Sequence, residues 1–180
     1  MLKSIVMTAA LLAPLQPQAM SVSFNGDVDP AMTATARTML ADLNAHPEIK
    51  TVELYINSYG GSVDEMNTIL DIMDILKARG VEFTCTVDSK AMSAGAMILM
   101  NCNKINVWPR SLILFHVGST GNIFASRVVN PKDDKYYFPI AVKKTLALMP
   151  LFTNKEAEDF RKGIDVFITG EDLMNRLRNH

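Results

Sequence analysis

Ser93 lies among small residues, in Ala91-Met92-Ser93-Ala94-Gly95-Ala96, just after an alternating run (Val81 to Val87) and just before an apolar helical one. That order predicts a hydroxyl at a strand-to-helix turn, where the next backbone N–H groups have no helical acceptor. Such amides can stabilise a developing oxyanion. Serine is a weak nucleophile until an adjacent base takes its proton, and histidine is the usual base because its pKa lies near neutrality. The chain has three histidines. His46 stands beside Pro47 at a helix end, and His180 is the last residue given. His116 follows an apolar strand, Leu112 to Phe115, that could aim it rigidly. A third group must fix the imidazole tautomer and stabilise imidazolium. Asp165, at the head of Val166-Phe167-Ile168, is the candidate; Asp88 is a rival, but it stands close in sequence to Ser93. Taken singly, each residue has an ordinary explanation: a structural histidine, an aspartate in a turn or cap. The ordered set is what points to nucleophilic catalysis.

Ser58-Tyr59-Gly60-Gly61-Ser62 reads as a tight connection between a strand and a helix. Gly60-Gly61 would serve a turn that needs positive φ. The pair would equally give a backbone strip that approaches a ligand closely and donates an N–H. The junction of strand end and helix start is where open α/β sheets place ligands. The segment is too short for a dinucleotide fingerprint and lacks the lysine of a P-loop. Cys85 and Cys102 show neither metal-ligand spacing nor a disulfide framework, and read as buried thiols. No motif asks for a metal or a cofactor.

These residues must be carried by a scaffold, and 180 residues suffice for one domain with a sizeable core. The net charge of −1 and the lack of any basic block argue against nucleic-acid binding. The twelve methionines fall mostly at helical spacing and suit core gaps or subunit contacts. Strands are expected at Ser21–Phe24, Val52–Ile56, Val81–Val87, Lys104–Trp108, Ser111–Phe115 and Asp165–Ile168. Helices are expected from Pro30 to Asn44, from Ser62 to Gly80, from Ser93 to Asn101, from Ile140 to Met149, from Asn154 to Lys162, and after Thr169. Asp29-Pro30 is a helix start with proline at its first position, and Ser62 with Glu65 fits a capping box. Strands alternating with helices give an α/β class. Residues 1–20 stand apart: Lys3, an apolar run from Ile5 to Leu12, then Pro14, Pro17 and Ala19. They read as a secretory signal cut after Ala19, or as an extension that packs on a neighbouring subunit. Residues 21–180 form the domain.

At this point the chain resembles the proteolytic subunits of the Clp protease, the ClpP family within the ClpP/crotonase superfamily. Leu54-Tyr55-Ile56-Asn57-Ser58-Tyr59-Gly60-Gly61-Ser62-Val63 is similar to the family's strand-and-glycine segment, with Tyr59 where proline is usual. Ala91 to Ala96 resembles its nucleophile motif, Leu114-Phe115-His116 its histidine strand, and Asp165-Val166-Phe167-Ile168-Thr169 its aspartate motif. Phe24-Asn25-Gly26-Asp27-Val28 is similar to its first strand and turn. The resemblance implies a superhelical sheet of repeated β-β-α units with a handle-like helical excursion. It implies a serine endopeptidase in which Ser93 attacks, His116 relays the proton and Asp165 orients His116. The amides of Gly61 and Ala94 would form the oxyanion hole, with Gly60 and Ser62 beside the substrate. It further implies unfolded polypeptide or peptide substrates, a homo-oligomeric ring and an ATP-driven AAA+ unfoldase partner. Val117-Gly118 stands where the family has Gln-Pro, and Pro131, Pro139 and Pro150 interrupt the handle region.

Three other readings use the same residues. Lys90 could act as the base in a Ser-Lys enzyme like signal-peptide peptidases. A crotonase-like acyl-CoA enzyme would use the backbone donors and leave Ser93 incidental. An inactive subunit would only build a ring. A cleaved signal would export the protein, for example to a periplasm, where an ATPase partner has no place; without cleavage the expectation is cytoplasmic.

Overall fold

A computed structural model describes residues 18–116, 119–120, 127–128 and 151–179. In chain order the elements are β1 (Ala19–Val28), α1 (Pro30–Ala45), β2 (Thr51–Gly61), α2 (Val63–Ala78), β3 (Glu82–Val87), β4 (Lys90–Met92) and α3 (Ala94–Met100). There follow β5 (Lys104–Val107), β6 (Leu112–Phe115), β7 (Ser119–Thr120), β8 (Arg127–Val128), α4 (Asn154–Arg161), β9 (Val166–Thr169) and α5 (Gly170–Arg178). The main sheet runs β5-β3-β2-β4-β6-β9, with β1 along the other side of β2. Its pairs are parallel except β6 with β9. β7 and β8 form a short antiparallel ribbon.

β2 is the branch point. Its first half, Thr51–Tyr55, pairs β3, whereas Ser58 pairs Ala91 of β4. The sheet therefore curls into two blades, and the chain lays strands in them by turns, β3 then β4, β5 then β6. This is the mixed α/β, β-β-α architecture expected from the sequence. The expected handle-like excursion and the helix from Ile140 to Met149 lie outside the described residues, as do residues 1–17. The expected cut after Ala19 falls at the first residue of β1.

The elements form for local reasons. In β2, Val52, Leu54 and Ile56 are buried while Glu53 and Tyr55 point outward. Each such aliphatic burial contributes roughly 1.5–3 kcal/mol. Asp29 Oδ1 accepts from the amides of Ala31 and Met32, both at 3.0 Å, and starts α1 with Pro30 in the first turn. Ser62 Oγ accepts from Glu65 N at 3.3 Å and starts α2, whose stripe Met66, Ile69, Leu70, Met73 and Leu76 is buried. The reciprocal box expected there occurs instead at α4, between Thr153 and Glu156. Residues of α1, α2 and α3 join the inward residues of β2 and β3 in one core.

Two expectations are corrected. β2 does not stop at Ile56 but continues through Gly61, because β1 keeps pairing with it across a register shift between Asn25 and Asp27. The segment from Ser58 to Gly61 is thus strand, not turn. The cysteines are not thiols: Cys85 and Cys102 are disulfide-bonded, with Cα atoms 6.0 Å apart. α3 returns the chain to the edge of β3, where Asn103 N donates to Phe83 O at 2.9 Å and Phe83 N donates to Asn103 Oδ1 at 2.9 Å. That pair of hydrogen bonds seats Cys102 beside Cys85, a proximity that linear spacing does not display.

The last elements are tied by Arg176, which donates to both Glu156 oxygens (2.7 and 3.0 Å) and to Leu151 O at 2.9 Å. Burial pushes the Glu156 carboxyl up, but bonds from Arg176 and Thr153 outweigh it and hold it below the usual carboxylate range. A depressed folded pKa stabilises fully above the unfolded value, about 4.3, and that contribution fades as pH falls through the folded value. Glu156→Gln should therefore cost about 1–2 kcal/mol at pH 7. In urea titrations the gap from wild type should shrink steadily below about pH 4. Cys102→Ser should cost about 3 kcal/mol, the loop-closure value for a crosslink of this span. Reductant should lower wild-type stability by a similar amount and leave the variant unchanged.

Candidate functional site

β4 delivers Ser93 into an unusual backbone state, with φ +53° and ψ −121°. It is the one non-glycine residue with positive φ among the described residues. Such a conformation costs on the order of 1–3 kcal/mol and persists only where neighbours impose it. Two bonds do so here. Ser93 N donates to Leu114 O at 2.9 Å, and Met97 N donates to Ser93 O at 3.1 Å to begin the ladder of α3. β4 and β6 run parallel with Met92 opposite Leu114, so His116, just past β6, arrives beside Ser93. The Ser93 hydroxyl and His116 Nε2 are hydrogen-bonded at 2.6 Å. A ring that accepts at Nε2 carries its proton on Nδ1. In that tautomer the ring could accept a proton from the serine hydroxyl.

Gly60 closes the other side. A Cβ at this position would sit 2.7 Å from both Met92 O and Ser93 Cβ and 3.1 Å from Ala94 N, with φ at +97°. The β2 backbone therefore lies directly against the elbow and the Ala94 amide, as no bulkier residue would allow. The amide of Gly60 is engaged, donating to Ser58 Oγ at 3.0 Å. The hydroxyl of Ser62 is engaged as the α2 cap. Gly61, the next residue along, packs on the backbone of Val28. Ala94 precedes the first internal bond of α3, so its amide belongs to the unpaired head of the helix.

The structure brings Ser93, His116, Gly60 and Ala94 together. Asp165 is different. The antiparallel pairing of Phe115 with Val166, taken one step further, sets Asp165 opposite His116. The carboxylate is exposed, however, and among the described residues no carboxylate bonds His116. Asp88 is exposed too. His46 bonds Glu48 at 3.2 Å on the surface, away from these strands. The Lys90 ammonium does not contact Ser93; it lies 4.2 Å from the centroid of the Tyr59 ring. Among the described residues no group of three His, Cys, Asp or Glu side chains could hold a metal ion, and no helix is long and apolar enough to cross a membrane.

Sequence reasoning missed β4, the three-residue strand between β2 and β6 that leads into Ser93. It also missed Ser58, a fully buried serine that holds the Gly60 amide and packs on Gly95. Its signal was the small-residue pattern shared by the two segments. Gly60→Ala should displace the elbow, and fluorophosphonate labelling of Ser93 should slow by about 100-fold, the typical effect of a misplacement near 1 Å. Labelling rates of folded wild type and variant measure this directly.

A family model described as Clp protease matches residues 14–134. That span holds Gly60, Gly61, Ser93, Ala94 and His116, and it ends before Asp165. No curated protein matches the chain. With about two thirds of its length matched by that model, the chain belongs to the Clp protease family.

Proposed function

We propose that the chain is a serine endopeptidase that hydrolyses peptide bonds through Ser93 and His116, with Asp165 as the third member. The observation that carries this reading is the 2.6 Å bond from the Ser93 hydroxyl to His116 Nε2 at a residue of positive φ. Ser93 Oγ attacks the peptide carbonyl as His116 takes its proton. The tetrahedral oxyanion turns toward the amides of Gly61 and Ala94, each worth about 3 kcal/mol in such sites. His116 then gives the proton to the leaving amine, and water repeats the sequence on the acyl-enzyme. Asp165 draws in to orient the ring and stabilise imidazolium, as its register opposite His116 supports. Membership of the Clp protease family supports a homo-oligomeric ring that admits unfolded polypeptide past Gly60 and Ser62. In a cytoplasm an AAA+ ATPase would feed it; after export it would act alone on peptides.

The position of Lys90 over Tyr59 favours the histidine base over a lysine one. A fluorophosphonate should label Ser93, and His116→Ala should abolish labelling. In a peptide-cleavage assay Ser93→Ala should lower kcat by about a million-fold, and Asp165→Asn by about ten-thousand-fold. An unlabelled Ser93 in assembled protein would overturn the reading. So would a saturable rise in Tm with acyl-CoA that peptides do not produce. Wild-type kcat in Asp165→Asn would reduce the triad to a Ser93–His116 pair.

A further inference from the structure

We infer that Lys90, held by the ring of Tyr59, is a specificity residue that recognises a carboxylate on the peptide substrate. The inference rests on the peptidase reading and extends it to a substrate class. It starts from the strand register. Met92 stands opposite Leu114, which stands opposite Phe167. Lys90 stands opposite Leu112, which stands opposite Thr169. Because Ser58 pairs Ala91, Tyr59 falls beside Met92. Ala91, Ile113 and Ile168 are fully buried and point into the core. Alternate residues of each strand face the other way. Tyr59, Lys90, Met92, Leu114 and Phe167 therefore share one open face, and His116, two residues past Leu114, continues it.

That face is exposed where the pair sits. Tyr59 is 65% exposed and Phe167 is 55% exposed. Lys90 is half-buried, its ammonium 4.2 Å from the Tyr59 centroid. No carboxylate lies within ion-pair reach of it among the described residues. Lysine is seldom withdrawn from water without a partner. A ring face attracts the charge but leaves the three N–H donors needing acceptors. The ring thus fixes an ammonium whose donors meet no carboxylate among the described residues. Successive same-face positions on a strand are about 6.6 Å apart, so the Tyr59–Met92 row adjoins the His116 row. A chain lying along this face with its scissile carbonyl at Ser93 would carry a side chain or terminus to Lys90 within about two or three residues, at the extended-chain rise. The fitting group is an anion with good acceptors, a carboxylate. It has two sources, an internal Glu or Asp side chain or the free C-terminus of the substrate.

The test uses the full chain and fluorogenic peptides that differ by a single Glu-to-Gln change, scanned over three residues on either side of the cleaved bond. A second pair compares a free with an amidated C-terminus. At one position wild type should prefer the carboxylate in kcat/KM by about fivefold, the scale of one semi-exposed charge pair. The Glu/Gln ratio should fall to about one in Lys90→Met, invert in Lys90→Glu and return in Lys90→Arg. Preference confined to the C-terminal pair would assign that source instead of a side chain. Binding of the same peptides to Ser93→Ala by fluorescence anisotropy reads recognition without hydrolysis, against the Ser93→Ala/Lys90→Met double variant. Equal ratios in wild type and Lys90→Met, in cleavage and in binding, would overturn the inference. Carboxylate-selective binding without fluorophosphonate labelling of wild-type Ser93 would keep it and overturn the peptidase reading instead.

Discussion

The hydrogen bond from Ser93 N to Leu114 O is the constraint on which the site depends. It locks a three-residue strand to the strand that carries His116, and so sets the proposed nucleophile and base in one register. Parallel pairing does the rest. With Met92 opposite Leu114, the residues just beyond each strand end are neighbours, and Ser93 Oγ lies 2.6 Å from His116 Nε2. A serine held this way has few rotamers to lose when substrate arrives, which is the structural content of preorganisation.

The same constraint explains the cost stored nearby. Ser93 sits at φ +53°, and an L-residue does so only under compulsion. The compulsion comes from three directions: β6 through Leu114, α3 through Met97, and β2 through the bare Gly60 backbone packed on the Ser93 Cβ. Ser58 completes it by holding the Gly60 amide from within the core. The disulfide acts at the far end of the same unit, fastening the turn after α3 to β3. The helix that starts at the nucleophile is thus anchored at both ends.

Much of this was legible before coordinates. Period-two alternation in Val52-Leu54-Ile56 and Val81-Phe83-Cys85-Val87 announced strands, and the stripe from Met66 to Leu76 announced α2, because burial on one face leaves a direct mark on residue order. Ser93 and His116 were legible because small residues around a serine and an apolar lead into a histidine are local patterns. What escaped was non-local. β4 has too few residues to show periodicity, and it is a strand only because β2 and β6 flank it. The extension of β2 through Gly60-Gly61 depends on a register shift in β1, thirty-odd residues away in the chain. The disulfide depends on α3 folding back to Phe83. The Tyr59–Lys90 contact likewise joins two strands that no single window contains.

Asp165 shows how far register alone can carry a side chain. An antiparallel partner puts it opposite His116, yet it stands exposed, and among the described residues no carboxylate bonds His116. A carboxylate 4 Å from imidazolium gains about 1 kcal/mol in bulk water and about 4 kcal/mol at an effective dielectric near 20. In the proposed relay its contribution therefore depends on the exclusion of water more than on its own position. Ser93 and His116 need no such change, because their bond is already in place. The proposed site is accordingly built in two parts: Ser93 and His116, fixed by parallel strands within the family-matched span, and Asp165, set opposite His116 by an antiparallel strand beyond it, where exclusion of water would raise its electrostatic value in the proposed relay.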